Sequence, residues 1–381
     1  MAVERTAYHS WCLGALCEGC KRCVKGEKLV LFITGLCPQK CFYCPVAENK
    51  YGSDVVYANE WQINNPDDPQ ELLEEARLTR ATGAGITGGD PLVKTERCCA
   101  YIRLLKQTFG KNFHVHLYTP LTLVDEERLK MLFDAGLDEI RFHPDLDDER
   151  HWHKLELAKK FSWAVGVEIP AIPHYGEKTK KLIDFVQGKI DFFNLNELEL
   201  SDTAAPHYTL QERGYMPKDS ISYAVKDSED MAKTMAAYAE KKGIPVHCCT
   251  AKLKDSVQVR QRILKRQAST ALPFDKKTPD GLLSRGCAYL PGLAPGLDYR
   301  KKLKTDMMVQ IAELYRKRDQ IIEQFKLDPA AIVLDENKPR LLMSQGMVKR
   351  ERKRLKKLGL FPALVEEYPT KDAVEMEVEF L

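Results

Sequence analysis

The sequence KLVLFITGLCPQKCFYC, residues 28–44, decides how this chain is interpreted. Its first nine residues are a short apolar run with β-branched side chains, which is typical of a buried strand. Cys37, Cys41 and Cys44 follow on a short loop. Three thiolates at this spacing can wrap one [4Fe-4S] cluster and leave one iron open, and an open position marks a reactive metal site. Zinc is the alternative, but it prefers separated CxxC pairs, and no second pair stands at the expected distance downstream.

Between residues 28 and 250, strand-like and helix-like segments alternate with short links. This is the βαβ pattern of a parallel sheet that closes, or nearly closes, into a barrel. A full eight-unit barrel needs about 250 residues, so six or seven units fit better. We therefore predict an α/β fold, an incomplete (β/α)6–7 parallel barrel with functional groups at the C-terminal strand ends. The predicted strands are residues 28–36, 83–89, 112–119, 138–142, 166–172, 192–200 and 244–249.

The second predicted strand ends in the sequence Gly88-Gly89-Asp90-Pro91. Glycine lets backbone carbonyls approach a ligand closely, and an acid pairs with a cation. A CxxxCxYC motif after the first strand of an incomplete barrel, followed by this glycine pair, resembles the radical S-adenosylmethionine (SAM) superfamily, whose own motif is Gly-Gly-Glu-Pro. The resemblance covers residues 28–250. Asp90 either meets the substrate ammonium or only shapes the turn.

The resemblance implies a [4Fe-4S] cluster on Cys37, Cys41 and Cys44, whose open iron binds the methionine moiety of SAM. Reductive cleavage of SAM then yields a 5′-deoxyadenosyl radical, and a ferredoxin or flavodoxin type of electron donor is implied. Further residues at the strand ends match less closely and are predicted to contact the cofactor. With the glycine pair, the predicted cofactor-binding residues are Tyr43, Gly88, Gly89, Asp90, Thr119, Glu168 and Asn196.

The chain has twelve cysteines, and seven of them lie in the first 44 residues, which favours metal binding over a disulfide scaffold. Four stand in the N-terminal segment as Cys12, Cys17, Cys20 and Cys23. They predict a second, fully ligated [4Fe-4S] cluster, with structural zinc as the alternative. Cys248 and Cys249 end the last predicted strand, where we expect either a catalytic role, such as hydrogen donation to a radical, or core packing.

Charged residues are distributed unevenly along the chain. Residues 250–360 hold 26 Lys and Arg against 12 Asp and Glu, a formal charge of +14, whereas the rest carries −11. Such a basic region attracts polyanions, although a solvated helix face is the competing interpretation. The predicted domains are a Cys-rich N-terminal segment (1–27), the barrel (28–250), a basic helix with a Pro/Gly-rich linker (251–294) and a small basic α+β domain (295–381), whose first helix is predicted over 305–325.

Two enzymatic functions follow. The first is a radical SAM enzyme that modifies RNA, such as tRNA or rRNA, with the basic third docking the phosphates. The second is a radical SAM enzyme acting on a protein, peptide or small metabolite, including activation of a glycyl-radical partner. A non-catalytic protein that binds zinc and nucleic acid is a third hypothesis. No apolar run reaches the roughly 18 residues needed to cross a bilayer and no leader opens the chain, so we expect a cytoplasmic protein without a membrane partner.

Overall fold

The computed structural model describes residues 3–303 and 307–381. The chain divides into two compact units, Met1–Arg262 and Ile263–Leu381. The first unit contains the whole segment predicted to form the barrel. Among the described residues, no helix combines the length and the apolar character that crossing a membrane requires.

Seven parallel strands form the centre of the first unit, and each pairs with the next one in chain order. Every predicted strand overlaps one of them. Short antiparallel strands extend both edges, so the sheet is mixed and has eleven strands. Its curvature into an incomplete barrel stays a prediction. The parallel strands are β1 (Lys28–Phe32), β2 (Gly83–Thr87), β3 (His114–Thr119), β4 (Glu139–Phe142), β5 (Ala164–Ala171), β6 (Phe192–Glu197) and β7 (Val246–Cys249).

The edge strands come from two different parts of the chain. Tyr57–Ala58 pairs with β1 and with Trp61–Gln62. Trp11–Leu13 pairs with β7 and with Glu4–Arg5. The N-terminal Cys-rich segment is therefore built into the main sheet.

Helices connect the parallel strands and bury their apolar faces against the sheet. Asp125 begins one of them by accepting a hydrogen bond from the Arg128 amide, and Gly136 ends it in a left-handed conformation. The helices of this unit are α1 (Glu18–Val24), Gln70–Leu78, Thr95–Phe109, Glu126–Ala135, Gly176–Val186, Ser228–Glu240 and Ala251–Leu253, with 3₁₀ segments at Pro91–Lys94 and Glu149–Lys160, a π segment at Lys254–Val259, and a final helix, Arg260–Thr270, that runs into the second unit.

Alternation along the strands separates an apolar layer from a polar one. In β6, Phe193 and Leu195 are fully buried in the core, whereas Asn194 and Asn196 line a cavity. The other parallel strands repeat this arrangement because successive side chains of a strand point to opposite faces. The outer faces therefore build the hydrophobic core with the helices, and the inner faces present polar groups to the cavity.

The second unit is built on an antiparallel sheet whose central strand is Leu283–Tyr289. Composition alone predicts a linker there, yet every residue of this strand is buried. The sheet order is Val333–Asp335, Arg340–Met343, Leu283–Tyr289, Phe361–Glu367, Glu375–Phe380, with Lys276–Lys277 also paired to the central strand. The helices are Tyr299–Lys302, Met308–Phe325 and Gln345–Lys357, with 3₁₀ turns at Pro291–Leu293 and Pro329–Ala331. The start predicted at Thr305 lies outside the described residues.

Candidate active site

One cavity of about 740 Å³ lies within the first unit and collects most of the predicted site residues. Cys37, Cys41 and Cys44 line it together, on the loop that leaves β1. The loop is held by its own backbone, since the Cys44 amide donates to the Cys41 carbonyl at 3.0 Å. Parallel strands bring their carboxyl ends to one edge, which explains why this loop meets the ends of β2 to β7. The three cysteines expected to ligate one cluster are therefore brought to one cavity.

Burial sets the protonation of these thiols. It raises the pKa of Cys37 to about 11 and that of Cys41 to about 12, and the neighbouring thiols add to the effect at Cys41. Burial also raises the pKa of Cys44. Thiolates are the form that ligates iron, so assembly of a cluster at these three residues releases protons.

The glycine pair after β2 packs directly against the cysteine loop. Gly88 has a φ of +150°, a conformation that favours glycine. A Cβ atom on Gly89 would lie 2.4 Å from the Leu36 carbonyl oxygen and 3.0 Å from Cys37 Cβ. Both glycines line the cavity. Their missing side chains let the two loops pack against each other beside the three thiols.

Asp90 stabilises the turn that follows Gly88 and Gly89. Its Oδ1 atom accepts hydrogen bonds from the Leu92 amide at 3.0 Å and from Thr119 Oγ1 at 2.7 Å. Burial raises its pKa to about 6, although these two donors oppose the shift. Asp90 does not line the cavity, whereas Thr119 does. Of the two roles considered for Asp90, the geometry fits the shaping of the turn and gives no basis for direct contact with a substrate ammonium.

Tyr43 connects the cysteine loop to the far strands. Its hydroxyl lies 2.9 Å from His143 Nε2, and His143 Nδ1 lies 2.9 Å from the Glu168 carbonyl oxygen. Tyr43 and His143 both line the cavity. His143 directly follows β4 and therefore falls at a strand end.

Glu168 is the centre of a buried polar network on β4, β5 and β6. It accepts hydrogen bonds from Arg141 at 2.7 Å and from the amides of Asn194 and Asn196, each at 2.9 Å. Arg141 also donates to Glu139 at 2.6 Å. Burial opposes ionisation of Glu168, but Arg141 and the two amides outweigh it and lower the pKa to about 2. The carboxylate is therefore ionised and fixed in orientation.

Several cavity residues were not predicted from the sequence. Lys28, Arg141, His247 and Lys254 bring positive or titratable groups to the cavity wall, and Tyr118 lies beside them. The sequence contains a pattern that could have identified them. Most of these residues occupy inward positions of predicted strands, where a polar side chain interrupts an apolar run.

The remaining cysteines separate into two groups. Cys20, Cys23 and Cys249 line the cavity, whereas Cys12 and Cys17 do not. Cys248 points to the opposite face of β7, where its thiol lies 3.5 Å from the Ala232 carbonyl oxygen in the core. The two-residue period of the strand removes the geometric basis for a catalytic role of Cys248. Such a role for Cys249 stays a prediction.

Among residues 3–303 and 307–381, no three His, Cys, Asp or Glu side chains are close enough together to hold a single metal ion. A lone ion draws every ligand to about 2.0–2.3 Å, whereas the cysteines of a cubane cluster bind different irons and stand farther apart. Three thiols around an open cavity, with a glycine cradle beside them, fit a cluster and its ligand.

Comparison with known proteins supports the same assignment. The family model described as the radical SAM superfamily matches residues 31–185. A protein of Methanocaldococcus jannaschii is 39% identical over 371 residues, 94% of this chain and 91% of the relative. The chain belongs to the radical SAM superfamily. Membership implies a [4Fe-4S] cluster and SAM as cofactors. The M. jannaschii radical SAM relative carries the provisional description of a glycyl-radical enzyme activating enzyme.

Other proteins match more weakly. A PqqA peptide cyclase of Bradyrhizobium diazoefficiens is 26% identical over 202 residues, 49% of this chain and 48% of the relative. Streptococcus suis SuiB, solved with its precursor peptide SuiA, gives a TM-score of 0.41 at 13% identity, over 59% of this chain and 48% of SuiB. Escherichia coli coproporphyrinogen III oxidase (HemN) gives 0.35 at 11% identity, over 90% and 93% of the two chains. This chain thus spans about half the length of the first two.

Proposed function

We propose that this radical SAM enzyme holds its [4Fe-4S] cluster on Cys37, Cys41 and Cys44, binds SAM in the adjoining cavity and acts on a protein substrate. When bound, the cluster supplies the electron that cleaves SAM to a 5′-deoxyadenosyl radical. The observation that carries the proposal is that all three cysteines and the Gly88–Gly89 pair line one cavity.

The chain's own residues have distinct tasks in this proposal. The Gly88–Gly89 backbone lines the cavity and offers polar groups to the methionine end of SAM. Tyr43, fixed by His143, forms a wall next to the last cysteine. Glu168 and Asn196 present hydrogen-bonding groups to the ribose or adenine, and Arg141 keeps that carboxylate ionised. Groups held in this way need no rearrangement when the reaction proceeds.

A protein target is favoured by the M. jannaschii relative, because its match extends over 94% of this chain and is not confined to the cofactor-binding part. Activation of a glycyl-radical enzyme removes a hydrogen atom from a glycine Cα. The hydrogen would be accepted by the 5′-deoxyadenosyl radical, which becomes 5′-deoxyadenosine, and the glycine keeps the unpaired electron. An electron donor of ferredoxin or flavodoxin type would supply the single electron that each cleavage consumes.

Cofactor chemistry can be tested directly. Protein reconstituted anaerobically with iron and sulfide should form 5′-deoxyadenosine from SAM when dithionite is added. Substituting Cys37, Cys41 or Cys44 with Ala should abolish product formation. Cys99→Ala serves as the matched control, since Cys99 is buried in the hydrophobic core and does not line the cavity. Full activity in any of the three loop variants would refute the ligand assignment.

The substrate class needs a separate experiment. Extract from cells lacking this gene, grown with glycine deuterated at Cα, is supplied with enzyme, SAM and reductant. Deuterium should enter 5′-deoxyadenosine, protease treatment of the extract should stop this transfer, and RNase treatment should not. Loss of transfer only after RNase would refute the protein target.

RNA is the second candidate, and the helix Gln345–Lys357 favours it. This helix buries Met347, Val348 and Leu355 and exposes its basic residues. Among the described residues, Lys353, Lys356 and Lys357 form no ion pair. Free cations in a row bind phosphates and release counterions.

The RNA candidate predicts that changing Lys353, Lys356 and Lys357 to Ala weakens tRNA binding and reduces the slope of log affinity against log salt by about two, since each phosphate contact contributes roughly 0.7–0.9. Lys180→Ala, on the first unit, is the matched control because its lysine already pairs with Glu177. An unchanged slope in the triple variant would exclude this docking mode.

A further inference from the structure

We propose that Cys20, Cys23, His247 and Cys249 hold a second [4Fe-4S] cluster in the same cavity. This donor set differs from the four N-terminal cysteines suggested by spacing, because it takes two donors from α1 and two from β7. All four residues line the cavity. Four protein donors leave no open iron, so this site differs in kind from the three-cysteine loop.

Local geometry places the four donors on facing surfaces. Cys20 and Cys23 are three residues apart on α1 and therefore share one helix face. His247 and Cys249 are two residues apart on β7 and therefore share its inner face. Cys248, between them, belongs to the core instead. Two elements thus each present a pair of donors to one space.

Contacts show that the two pairs are neighbours. Asn194 Nδ2 lies 3.5 Å from the Cys20 sulfur, and Asn194 is the register partner of His247 on the adjacent strand. The His247 and Cys20 side chains lie within interaction distance of one another. Cys249 shares the cavity wall with both Cys20 and Cys23. The sulfur atoms of α1 therefore lie beside the inner face of β7.

His247 provides the observation that points to a ligand. Its side chain is only 4% exposed, and its Nδ1 atom has no hydrogen-bond partner. The other ring nitrogen, Nε2, lies 3.1 Å from Ser10 Oγ. A ring held at one nitrogen by an oxygen, with the other nitrogen left unused, is the arrangement in which histidine binds metal. A buried nitrogen without any partner is otherwise costly.

The surrounding charges suit an anionic group. Lys28 lines the cavity and forms no ion pair among the described residues. Its Nζ atom lies 5.9 Å from the centroid of the Tyr118 ring. Arg141 donates to the Cys17 sulfur at 3.2 Å, so a second cation faces α1. A cluster on thiolates is negatively charged, and Lys28 would compensate part of that charge, since Arg141 is already paired with Glu139 and Glu168.

The other N-terminal cysteines lie nearby but do not line the cavity. Cys12 is the register partner of His247, yet it is partly exposed and its thiol donates to the Gly14 carbonyl at 3.2 Å. Cys17 neighbours Cys20, but its sulfur accepts a hydrogen bond from Arg141 at 3.2 Å. A single zinc ion also fits poorly, since no three donors converge among the described residues. A cluster accommodates the separation because each donor binds its own iron.

The test eliminates the cluster site on Cys37, Cys41 and Cys44 and measures the iron and sulfide that the protein still binds. The variant with Cys37, Cys41 and Cys44 all changed to Ala is reconstituted anaerobically, and iron, sulfide and zinc are measured per chain. About four irons and four sulfides should remain, with absorbance near ~400 nm. Adding Cys249→Ala or His247→Ala should remove or strongly reduce this iron, whereas adding Cys12→Ala should leave it. Tryptophan fluorescence verifies that each variant is folded, since all four Trp lie in the first unit.

Several outcomes would overturn the proposal: no iron in the triple variant, zinc in place of iron, or iron that survives Cys249→Ala but is lost with Cys12→Ala. If the triple variant does not fold, the unmodified protein should contain about eight irons, and Cys249→Ala alone should lower this to about four. About four irons in the unmodified protein would refute the second site while leaving the three-cysteine site intact. An iron-free protein would refute both.

Discussion

Replacing Glu168 with Gln tests the buried network that shapes the cavity. Glutamine keeps the size of the side chain but removes the charge that Arg141 compensates. Ionisation of Glu168 is favoured in the folded chain, where its pKa falls from an ordinary 4.5 to about 2. A difference of roughly 2.5 pKa units corresponds to about 3 kcal/mol at neutral pH. A loss of stability of similar size is expected when one partner of a buried ion pair is removed. In the variant, Arg141 would still pair with Glu139 and would not become an unpaired buried charge.

The assay is urea unfolding of the cofactor-free protein at pH 7, followed by tryptophan fluorescence, which reports the first unit. Because the folded pKa is lowered, the contribution of Glu168 is complete above pH 4.5 and is lost as pH falls toward 2. The difference between the native protein and Glu168→Gln should therefore shrink in acid. Glu177→Gln, at an exposed surface position, should change stability by less than ~0.5 kcal/mol. A loss below about 1 kcal/mol for Glu168→Gln at pH 7 would refute the network as described.

Three further predictions concern the loops of the cavity. Asp90→Asn should flatten the pH dependence of unfolding. Burial raises the pKa of Asp90 from 3.8 to about 6, so the native protein should lose about 2 kcal/mol relative to the variant as pH rises from 4 to 7, and parallel pH profiles would contradict this. Gly89→Ala should lower 5′-deoxyadenosine formation by at least about tenfold because its Cβ would collide with the Leu36 carbonyl, while Gly346→Ala, with nothing within 4 Å, should retain full rate. Tyr43→Phe should cost about 1 kcal/mol in urea unfolding through loss of the bond to His143, and unchanged stability would show that this contact contributes nothing.

Local sequence patterns were enough to predict the parallel strands, because each is an apolar run bounded by turns. The same patterns did not predict the strand Leu283–Tyr289, which carries Arg285 and Gly286 at its centre. That arginine is buried because it pairs with Asp275 and Glu367, and Glu367 lies 82 residues away in the sequence. Because this partner is so distant in the sequence, no local pattern indicates that Arg285 is buried. The composition of the segment therefore predicted a linker where the structure has a buried strand.

The site shows the same division. The cysteine loop and the glycine pair are contiguous motifs, and the sequence alone identified both. Arg141, Lys28 and His247 come from three separate strands, and only the register of the sheet brings them to one cavity. Spacing grouped Cys12 with Cys20, but only Cys20 lines the cavity. Sequence spacing therefore identifies ligands that share a loop, and periodicity is needed for ligands shared between elements.

The pairing of Trp11–Leu13 with β7 has a consequence for how the protein is made. Leu13 faces Val246, roughly 230 residues later, so the segment that carries Cys12 to Cys23 can pair with β7 only after nearly all of the first unit has been synthesised. Donors on α1 and on β7 can therefore meet only in a chain that has been made at least as far as β7.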